Sequence, residues 1–435
     1  MIIIAFDAMQ SYHISAYGYP IETTPNLDNF SKNATLFKNA ISPAPWTIPT
    51  YISWFTSLYP SEHKVVNKFS IYNSSTQVTA NLRNLTPNAV TLAEIMKQNG
   101  YATVGFTGDG GARGAQGGSI GFDVYIDTPA GFNGFDYSMP LALNWIKNNT
   151  DKKFFMFLHG YDSHGQYNNL TNFTRKFLGF NYTGEFNGTV QEQANLREEG
   201  LAYGSVDVTD DDVRFWRAWY DEKINNADMR FGTFIDNLRE MGLLNKTIII
   251  IASDHGTEFY EHKRFDHGPT LYQELIHIPL IIWAPGFNST KVVTSQVSTL
   301  DIMPTILQLA NIHPNETVKN QMKGISLLPT MKGEEASRDV YSETDYRLYT
   351  HKRAIITADG WKFILTLAES PNKTNLKELY NLNTDPREKN NLIDSEPRIA
   401  YELEQKLIKH IKDMGTSVEG PWEVGCSPVY SGQCK

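Results

Sequence analysis

The amino-acid sequence predicts an α/β fold in which a mainly parallel β-sheet is covered by helices on both faces. Helical patterns alternate with short apolar runs, and three of these runs end in polar segments rich in Asp and His. Continuous apolar, β-branched runs are typical of strands buried on both faces. The runs are Met1–Phe6, Thr103–Phe106, Phe154–Leu158, Thr247–Ala252 and Ile278–Ile282.

Three helical patterns lie between or after these strands. Leu92–Asn99 ends before Gly100, and Asp221–Met241 ends before a glycine as well, which is a common C-terminal signal of helices. Leu300–Ala310 begins shortly after Ser298 and carries apolar residues at helical spacing. Strands that alternate with helices predict a parallel sheet with helices on both sides.

The pattern changes from Gly324 onward. Short strands are predicted at Ser342–Tyr349, Arg353–Thr357 and Trp361–Leu367, and a last helix at Glu396–Met414, with Pro397 in its first turn. We therefore expect a catalytic domain at 1–325 and a C-terminal α+β subdomain with a small antiparallel sheet at 326–435. Within the first domain, Asn168–Val208 is polar and weakly periodic, which predicts a long surface excursion at 168–208.

The candidate site lies where three of the strands end, because ligands of such sheets bind beyond the carboxyl ends of the strands. The strands ending at Phe6, Leu158 and Ala252 are followed by DAM, HGYDSHGQY and SDHG. Asp7 could bind a cation together with Asp254-His255, and oxygen and imidazole ligands suit zinc or manganese better than calcium. Taken alone, Asp7 could equally cap a helix.

A hydroxyl group also precedes a helix-like run. Thr47 stands before Ile48-Pro49-Thr50 in the segment PAPWTIPTYISWF. At the start of a helix a hydroxyl meets the positive end of the helix dipole and free N–H groups, which favour an anionic substrate. On these local grounds Thr47 could also be a simple helix cap.

Charge and hydropathy exclude two classes of protein. The formal net charge of −9 argues against a general nucleic-acid binder, which needs a basic footprint. The apolar runs TIIIIAS and IPLIIWAPG are too short to span a bilayer, so no transmembrane segment is predicted.

Several features point to an extracellular or cell-surface glycoprotein, with a cytoplasmic location as the alternative. Cys426 and Cys434 are the two cysteines, and their spacing favours a short disulfide-closed loop over free thiols and excludes a CxxC metal site. No signal peptide is visible at MIIIAFDAM, so an exported protein would have lost its targeting segment. Twelve Asn-x-Ser/Thr sequons, against about four or five by chance, begin at Asn33, Asn73, Asn84, Asn148, Asn169, Asn172, Asn181, Asn187, Asn245, Asn288, Asn315 and Asn372.

The order of motifs resembles the sulfatase family. TPNLDNFSKNATLFKNAISPAPWTIPTYISWFTSLYPSEHKV resembles its signature region, YDSHGQY its DPHxPY segment, and DEKINNADMRFGTFIDNLREMGLLNKTIIIIASDHG its helix, strand and metal loop. HGPTLYQELIHIPLIIWAPG, STLDIMPTILQLANI, KGISLLP and KELYNLNTDPREKNNL match later landmarks in order. The resemblance covers nearly the whole chain and implies an alkaline-phosphatase-like fold. It implies Thr47 as nucleophile and Asp7, Thr47, Asp254 and His255 as the metal set.

The departures from the sulfatase pattern are as informative as the matches. Thr47 stands where sulfatases carry the cysteine or serine that becomes formylglycine, and it cannot supply that aldehyde. Tyr51 replaces the arginine of the signature, Ala8 the second paired aspartate, and His255 the usual asparagine. Gly108-Asp109-Gly110 replaces a Lys-Trp-His segment. This combination resembles the phosphoesterase and phosphotransferase branches of the superfamily, which use threonine.

The resemblance implies a covalent mechanism with one divalent metal ion. Thr47 would attack phosphorus to give a phosphothreonine, with His164 and His267 as candidates to protonate the leaving oxygen or activate water. Mn²⁺ or Zn²⁺ is expected, with Ca²⁺ or Mg²⁺ as alternatives. A second ion would need a further Asp/His/His set, which Asp162 could supply with the two histidines, and Asp109 is a further candidate contact.

We expect a hydrolase of phosphate or phosphonate esters, diesters foremost, acting on a small anionic substrate that is free or linked to a glycan or lipid. The alternatives are a sulfatase that lacks formylglycine and a phospho-alcohol transferase. A catalytically inactive surface protein is disfavoured because the chain retains the nucleophile, the metal set and both histidines.

Overall fold

The computed structural model describes residues 1–66, 70–73, 78–81, 85–108, 112, 114, 117–127, 133–165, 174–287, 291–334, 337–346, 350–368 and 374–416. The strands are β1 (Ile2–Phe6), β2 (Thr35–Ile41), β3 (Ser70–Asn73), β4 (Val78–Asn81), β5 (Ala102–Thr107), β6 (Val124–Ile126), β7 (Phe154–Gly160), β8 (Ile249–Ser253), β9 (Glu258–Phe259), β10 (Phe265–Asp266), β11 (His277–Trp283), β12 (Val292–Ser298), β13 (Val340–Thr344), β14 (Lys352–Ile356), β15 (Trp361–Thr366) and β16 (Leu376–Asn381).

The α-helices are α1 (Pro25–Ser31), α2 (Thr47–Thr56), α3 (Pro60–His63), α4 (Leu92–Gln98), α5 (Phe135–Lys147), α6 (Val190–Tyr203), α7 (Asp210–Glu240), α8 (Gln273–Ile276), α9 (Ile302–Leu309), α10 (Glu316–Gln321), α11 (Leu328–Met331) and α12 (Pro397–Asp413).

The central sheet has the strand order β12-β2-β11-β8-β1-β7-β5-β6 in the described part of the chain. All of its neighbouring pairs are parallel except those of β11, which runs antiparallel to both β2 and β8. The predicted mainly parallel sheet is therefore confirmed. The five predicted apolar runs correspond to β1, β5, β7, β8 and β11.

Burial on both faces explains why β1 reads as a continuous apolar run. Ile2, Ile4 and Phe6 pack into one core, and Ile3 and Ala5 pack into the core on the opposite face. Successive side chains of a strand point to opposite faces, so a strand with helices on both sides needs apolar residues at every position.

Helix α7 begins at Asp210, earlier than the predicted start at Asp221. The Thr209 side chain accepts a hydrogen bond from Asp212 N, and the Asp212 side chain accepts from Thr209 N, which forms a capping box. The predicted excursion at 168–208 contains a second capped helix, α6, in which Thr189 and Glu192 form the box.

The C-terminal part forms a four-stranded antiparallel sheet with the order β13-β14-β15-β16. Leu403, Leu407 and Ile411 of α12 pack against Phe363 and Leu365 of this sheet. The antiparallel subdomain is confirmed, with β16 as a strand that the sequence pattern did not reveal. The boundary at 325/326 stays a prediction.

Two predictions about location remain untested. Cys426 and Cys434 lie outside the described residues, and glycosylation stays a prediction. The sequon asparagines whose side chains are described are all exposed, namely Asn33, Asn148, Asn181, Asn187, Asn245 and Asn315. Among the described residues, no helix has both the length and the apolar character that crossing a membrane requires.

Candidate active site

The three polar segments meet at one edge of the central sheet. Phe6, the last residue of β1, is in register with Gly160 of β7 and with Ser253 of β8. The segments that follow these strands therefore begin side by side, as the strand pattern predicts.

Asp7, Asp254 and His255 come together in a fully buried cluster. Their nearest ligand atoms all lie within 4.8 Å of one another. Nε2 of His255 is 3.5 Å from Asp7 Oδ1 and 3.5 Å from Asp254 Oδ2. Oδ1 of Asp254 accepts hydrogen bonds from Ala8 N at 3.1 Å and from His255 N at 2.9 Å, which turns the other carboxylate oxygen towards the imidazole.

The tautomer of His255 suits a metal ligand. Its Nδ1 lies 2.7 Å from the carbonyl oxygen of Gly256, to which it must donate, so Nε2 presents a lone pair to the two carboxylates. Burial lowers the pKa of His255 to about 4 and raises the pKa of Asp254. Two buried carboxylates and a neutral imidazole thus converge, and oxygen and nitrogen donors of this kind fit a divalent ion such as Zn²⁺ or Mn²⁺.

Thr47 is the first residue of α2, and its side chain joins this cluster. Its Oγ1 lies 3.3 Å from His255 Nε2 and can donate to Asp7 Oδ2 at 3.4 Å. The N-cap position belongs to Trp46, and no side chain caps this helix. Thr47 is therefore not the N-cap of α2, and the alternative that it serves only as a helix cap is wrong.

His159 is also a residue of this site, although no role is predicted for it from the sequence. It lies on β7, is fully buried, and its Nε2 is 3.1 Å from Asp7 Oδ2. Burial lowers the pKa of His159 to about 3, so the ring is neutral and can donate this hydrogen bond. The available signal is a histidine within an otherwise apolar strand.

The structure brings His164 and His267 to the same place. The His267 ring stacks on His255 at 4.2 Å between centroids, and His164 meets the His267 ring edge-on at 4.7 Å. Nδ1 of His267 contacts a carboxylate oxygen of Asp266. Both histidines are therefore placed beside the Thr47 cluster, as expected.

The structure does not bring Asp162 to the two histidines. Its Oδ2 accepts from Phe135 N at 2.7 Å at the start of α5, and its Oδ1 is 3.7 Å from Arg230. The N-cap residue of α5 is Gly134, which has no side chain to cap the helix, so Asp162 satisfies that helix end instead. The carboxylate beside the two histidines is that of Asp266, whose ligand atom lies within 4.8 Å of those of His164 and His267. Asp109 lies outside the described residues.

The mainly parallel sheet carries a threonine hydroxyl and an Asp/Asp/His set at its carboxyl edge, an arrangement that suits a metal-assisted ester hydrolase. The Sulfatase family model matches residues 1–312, and the model described as N-sulphoglucosamine sulphohydrolase, C-terminal, matches residues 260–415. The chain belongs to the sulfatase family.

A curated relative and two solved structures are similar to this chain. Arylsulfatase K of Bos taurus is 32% identical over 208 residues, which are 46% of this chain and 37% of that protein. The match thus spans well under half of that relative. The phosphonate monoester hydrolase of Agrobacterium radiobacter has a TM-score of 0.75 at 18% identity, with 95% of each chain covered. BT4656, solved with its substrate D-glucosamine-2-N,6-O-disulfate, has a TM-score of 0.69 at 19% identity over 95% of this chain and 98% of that one. At these identities the two structures show the fold alone.

Proposed function

We propose that this chain is a metal-dependent hydrolase of phosphate or phosphonate esters, diesters foremost, that acts through a covalent intermediate on Thr47. The observation that carries the proposal is the position of the Thr47 hydroxyl, within 3.4 Å of both Asp7 and His255. A hydroxyl so placed can be deprotonated and aimed at a bound ester.

Asp7, Asp254 and His255 would hold one divalent cation, which supplies positive charge that favours the Thr47 alkoxide and the charge of the transition state. The Thr47 hydroxyl loses its proton to solvent, its oxygen attacks phosphorus, the bond to the leaving oxygen breaks, and that oxygen takes a proton from His164 or His267. Water then attacks the phosphorus of the Thr47 adduct and gives a proton to the same histidine. The bond between Thr47 and phosphorus breaks, the Thr47 oxygen regains a proton from solvent, and the phosphate or phosphonate product leaves.

The chemistry of threonine supports phosphoryl transfer over the sulfatase route. Formylglycine is an aldehyde, and the methyl group on the Thr47 side chain allows no aldehyde at that carbon. A single hydroxyl can form and break one ester bond, which suits a two-step exchange at phosphorus.

A sulfuric ester is the second candidate substrate, and the comparisons favour it. The curated relative is named an arylsulfatase, and both family descriptions refer to sulfatases or a sulphohydrolase. A sulfatase that uses Thr47 directly would form a sulfothreonine in place of a phosphothreonine. Both candidates share a small anionic ester substrate, and a saccharide-linked ester is consistent with the relative solved with its disulfated glucosamine substrate.

Parallel assays decide between the two candidates. Protein loaded with Mn²⁺ or Zn²⁺ is given a phosphodiester, a phosphonate monoester, a phosphomonoester and a sulfate that share one aryl leaving group, with T47A as the control. We expect the highest kcat/KM for the phosphonate or the diester. A sulfate preference establishes the second candidate. Ester transfer to an added alcohol in preference to water would indicate a transferase.

A further inference from the structure

Asp266 has a backbone conformation that few residues adopt. It lies at the end of β10, is fully buried, and has a φ of 79°, in the left-handed region. Asp and Asn tolerate this region better than other non-glycine residues. Left-handed residues held in a buried site are often functional, and the carboxylate of Asp266 contacts Nδ1 of His267.

Arg197 reaches the other oxygen of Asp266 from helix α6. Its guanidinium Nη1 is 3.9 Å from Asp266 Oδ2, and its side chain is 14% exposed. A second partner of Arg197 is Glu198, whose Oε1 lies 2.7 Å from Nη2. Burial alone raises the pKa of Asp266, but the charges of His267 and Arg197 oppose it and hold that pKa well below its usual range.

One face of α6 covers the site. Gln193, Arg197 and Leu201 follow one another at four-residue spacing and so share that face. The Gln193 amide packs so closely on Gly165 that a Cβ there would lie 1.8 Å from it, and Leu201 packs with the cluster that contains Trp46. The helix therefore contacts the residues next to His164 and Thr47 as well as Asp266.

We propose that Asp266 and Arg197 are positioning residues for His267, and that α6 belongs to the active site as the helix that delivers Arg197. The inference rests on the proposed function of His267 in proton transfer. A carboxylate at Nδ1 keeps the proton on that nitrogen and fixes the ring, so that Nε2 serves the reaction. Arg197 holds Asp266 in the orientation that this contact requires.

A second cation held by His164, Asp266 and His267 is the competing explanation, because their ligand atoms also lie within 4.8 Å of one another. The guanidinium of Arg197 already lies beside Asp266, and the ammonium of Lys223 donates to the carbonyl oxygens of His164 at 2.9 Å and Gly165 at 3.0 Å. The permanent charge of Arg197 opposes a further cation at this place, whereas burial lowers the pKa of Lys223 to about 7, so that its charge near neutral pH is only partial.

The test uses D266N, in which asparagine accepts the left-handed backbone, and R197Q, with R197K as the conservative variant. R398Q is the control, because Arg398 forms an ion pair with Glu402 while 82% exposed. Each is assayed on esters that differ only in leaving group. We expect D266N to lose about 10- to 100-fold in kcat on poor leaving groups and much less on good ones. R197Q should show a smaller loss of the same kind, R197K should recover most of it, and KM should change little.

Nitrogen NMR of the histidine side chains gives a readout that does not depend on activity. With His267 assigned from its absence in H267Q, the wild type should show the Nδ1–H tautomer and D266N a mixture. The proposal would be overturned if both D266N and R197Q kept the wild-type tautomer of His267 and the wild-type dependence of kcat on leaving group. It would also be overturned if D266N bound one metal ion fewer than the wild type. If T47A keeps wild-type activity, the proposed function fails, whereas the tautomer measurement still tests the role of Asp266.

Discussion

The Thr47 hydroxyl oxygen lies 3.3 Å from Nε2 of His255, although the two residues are far apart in the chain. Thr47 starts α2 and His255 follows β8, so the contact depends on how the helix sits on the sheet edge. Because Nδ1 of His255 is engaged with Gly256 O, the nitrogen that faces Thr47 is the one with a free lone pair for a cation. The proposed nucleophile and the proposed metal ligands therefore form one cluster.

Removal of one carboxylate charge should weaken metal binding without unfolding the protein. In D254N the amide oxygen can still accept from Ala8 N and His255 N, as Asp254 Oδ1 does. We expect affinity for Zn²⁺ or Mn²⁺ to fall about tenfold or more. Elemental analysis after dialysis and calorimetric titration measure this change.

Thermal unfolding provides the control for that variant. Ligand binding to the folded state raises the unfolding midpoint, so added metal should stabilise the wild type and leave D254N nearly unchanged. Without metal, D254N should be at least as stable as the wild type, because burial raises the pKa of Asp254 and its charge is unfavourable there. Equal stabilisation of both proteins by metal would place the ion elsewhere.

His63 should make the protein less stable in acid. It is fully buried, its Nε2 lies 3.1 Å from Pro49 O, and its Nδ1 accepts from Val65 N. Burial lowers the pKa of His63 to about 3 from the ordinary value of 6.5. Between these values the unfolded chain binds a proton that the folded chain does not, so the free energy of unfolding rises with pH. The contribution is complete above about 6.5 and is lost as pH falls towards the folded pKa.

The H63Q variant isolates this contribution. We expect the slope of unfolding free energy against pH to decrease in H63Q by up to about 1.4 kcal/mol per pH unit in the acid range. Urea unfolding of metal-free protein at several pH values measures the slope, and H313Q, at an exposed position, is the control. An unchanged slope in H63Q would show that His63 is not kept neutral by the fold.

The pair Lys362–Glu388 should be essential for the C-terminal sheet. Lys362 Nζ is 2.6 Å from Glu388 Oε1 with both side chains 0% exposed, and Glu388 Oε2 accepts from Gln273 N at the start of α8. K362M leaves a buried carboxylate without its cation, which costs about 3–5 kcal/mol. K362M/E388Q should recover most of that loss, because glutamine can still accept from Gln273 N. Urea unfolding measures both, and additive effects of the two changes would contradict the pairing.

The sequence predicted the parts of the fold in which one residue pattern has one structural meaning. Strands buried on both faces, such as β1, are apolar throughout and were recognised. Strand β2 was missed because Lys38 and Asn39 interrupt its apolar character where it is exposed. Helix α6 was missed because it buries few side chains in a polar segment, and its capping box at Thr189 and Glu192 was the available signal.

The candidate site also contains residues that the sequence could predict and residues that it could not. Asp7, Asp254 and His255 follow strand ends, so the order of strands was enough to bring them together, and the family resemblance placed Thr47 with them. The choice between Asp162 and Asp266 depends on the direction of each side chain after its strand, which residue spacing does not determine. Asp162 turns to the start of α5, and Asp266 remains beside His267.

We propose that Thr47 forms a covalent bond to the transferred group. The most direct test is rapid acid quench of metal-loaded protein with a radiolabelled aryl phosphodiester or phosphonate, followed by peptide mass spectrometry. We predict a labelled adduct on Thr47 that forms in the first turnover, is absent in T47A, and is retained in T47S, because serine keeps the hydroxyl. Turnover by T47A at the wild-type rate, or a label on any residue other than Thr47, would show that Thr47 is not the nucleophile.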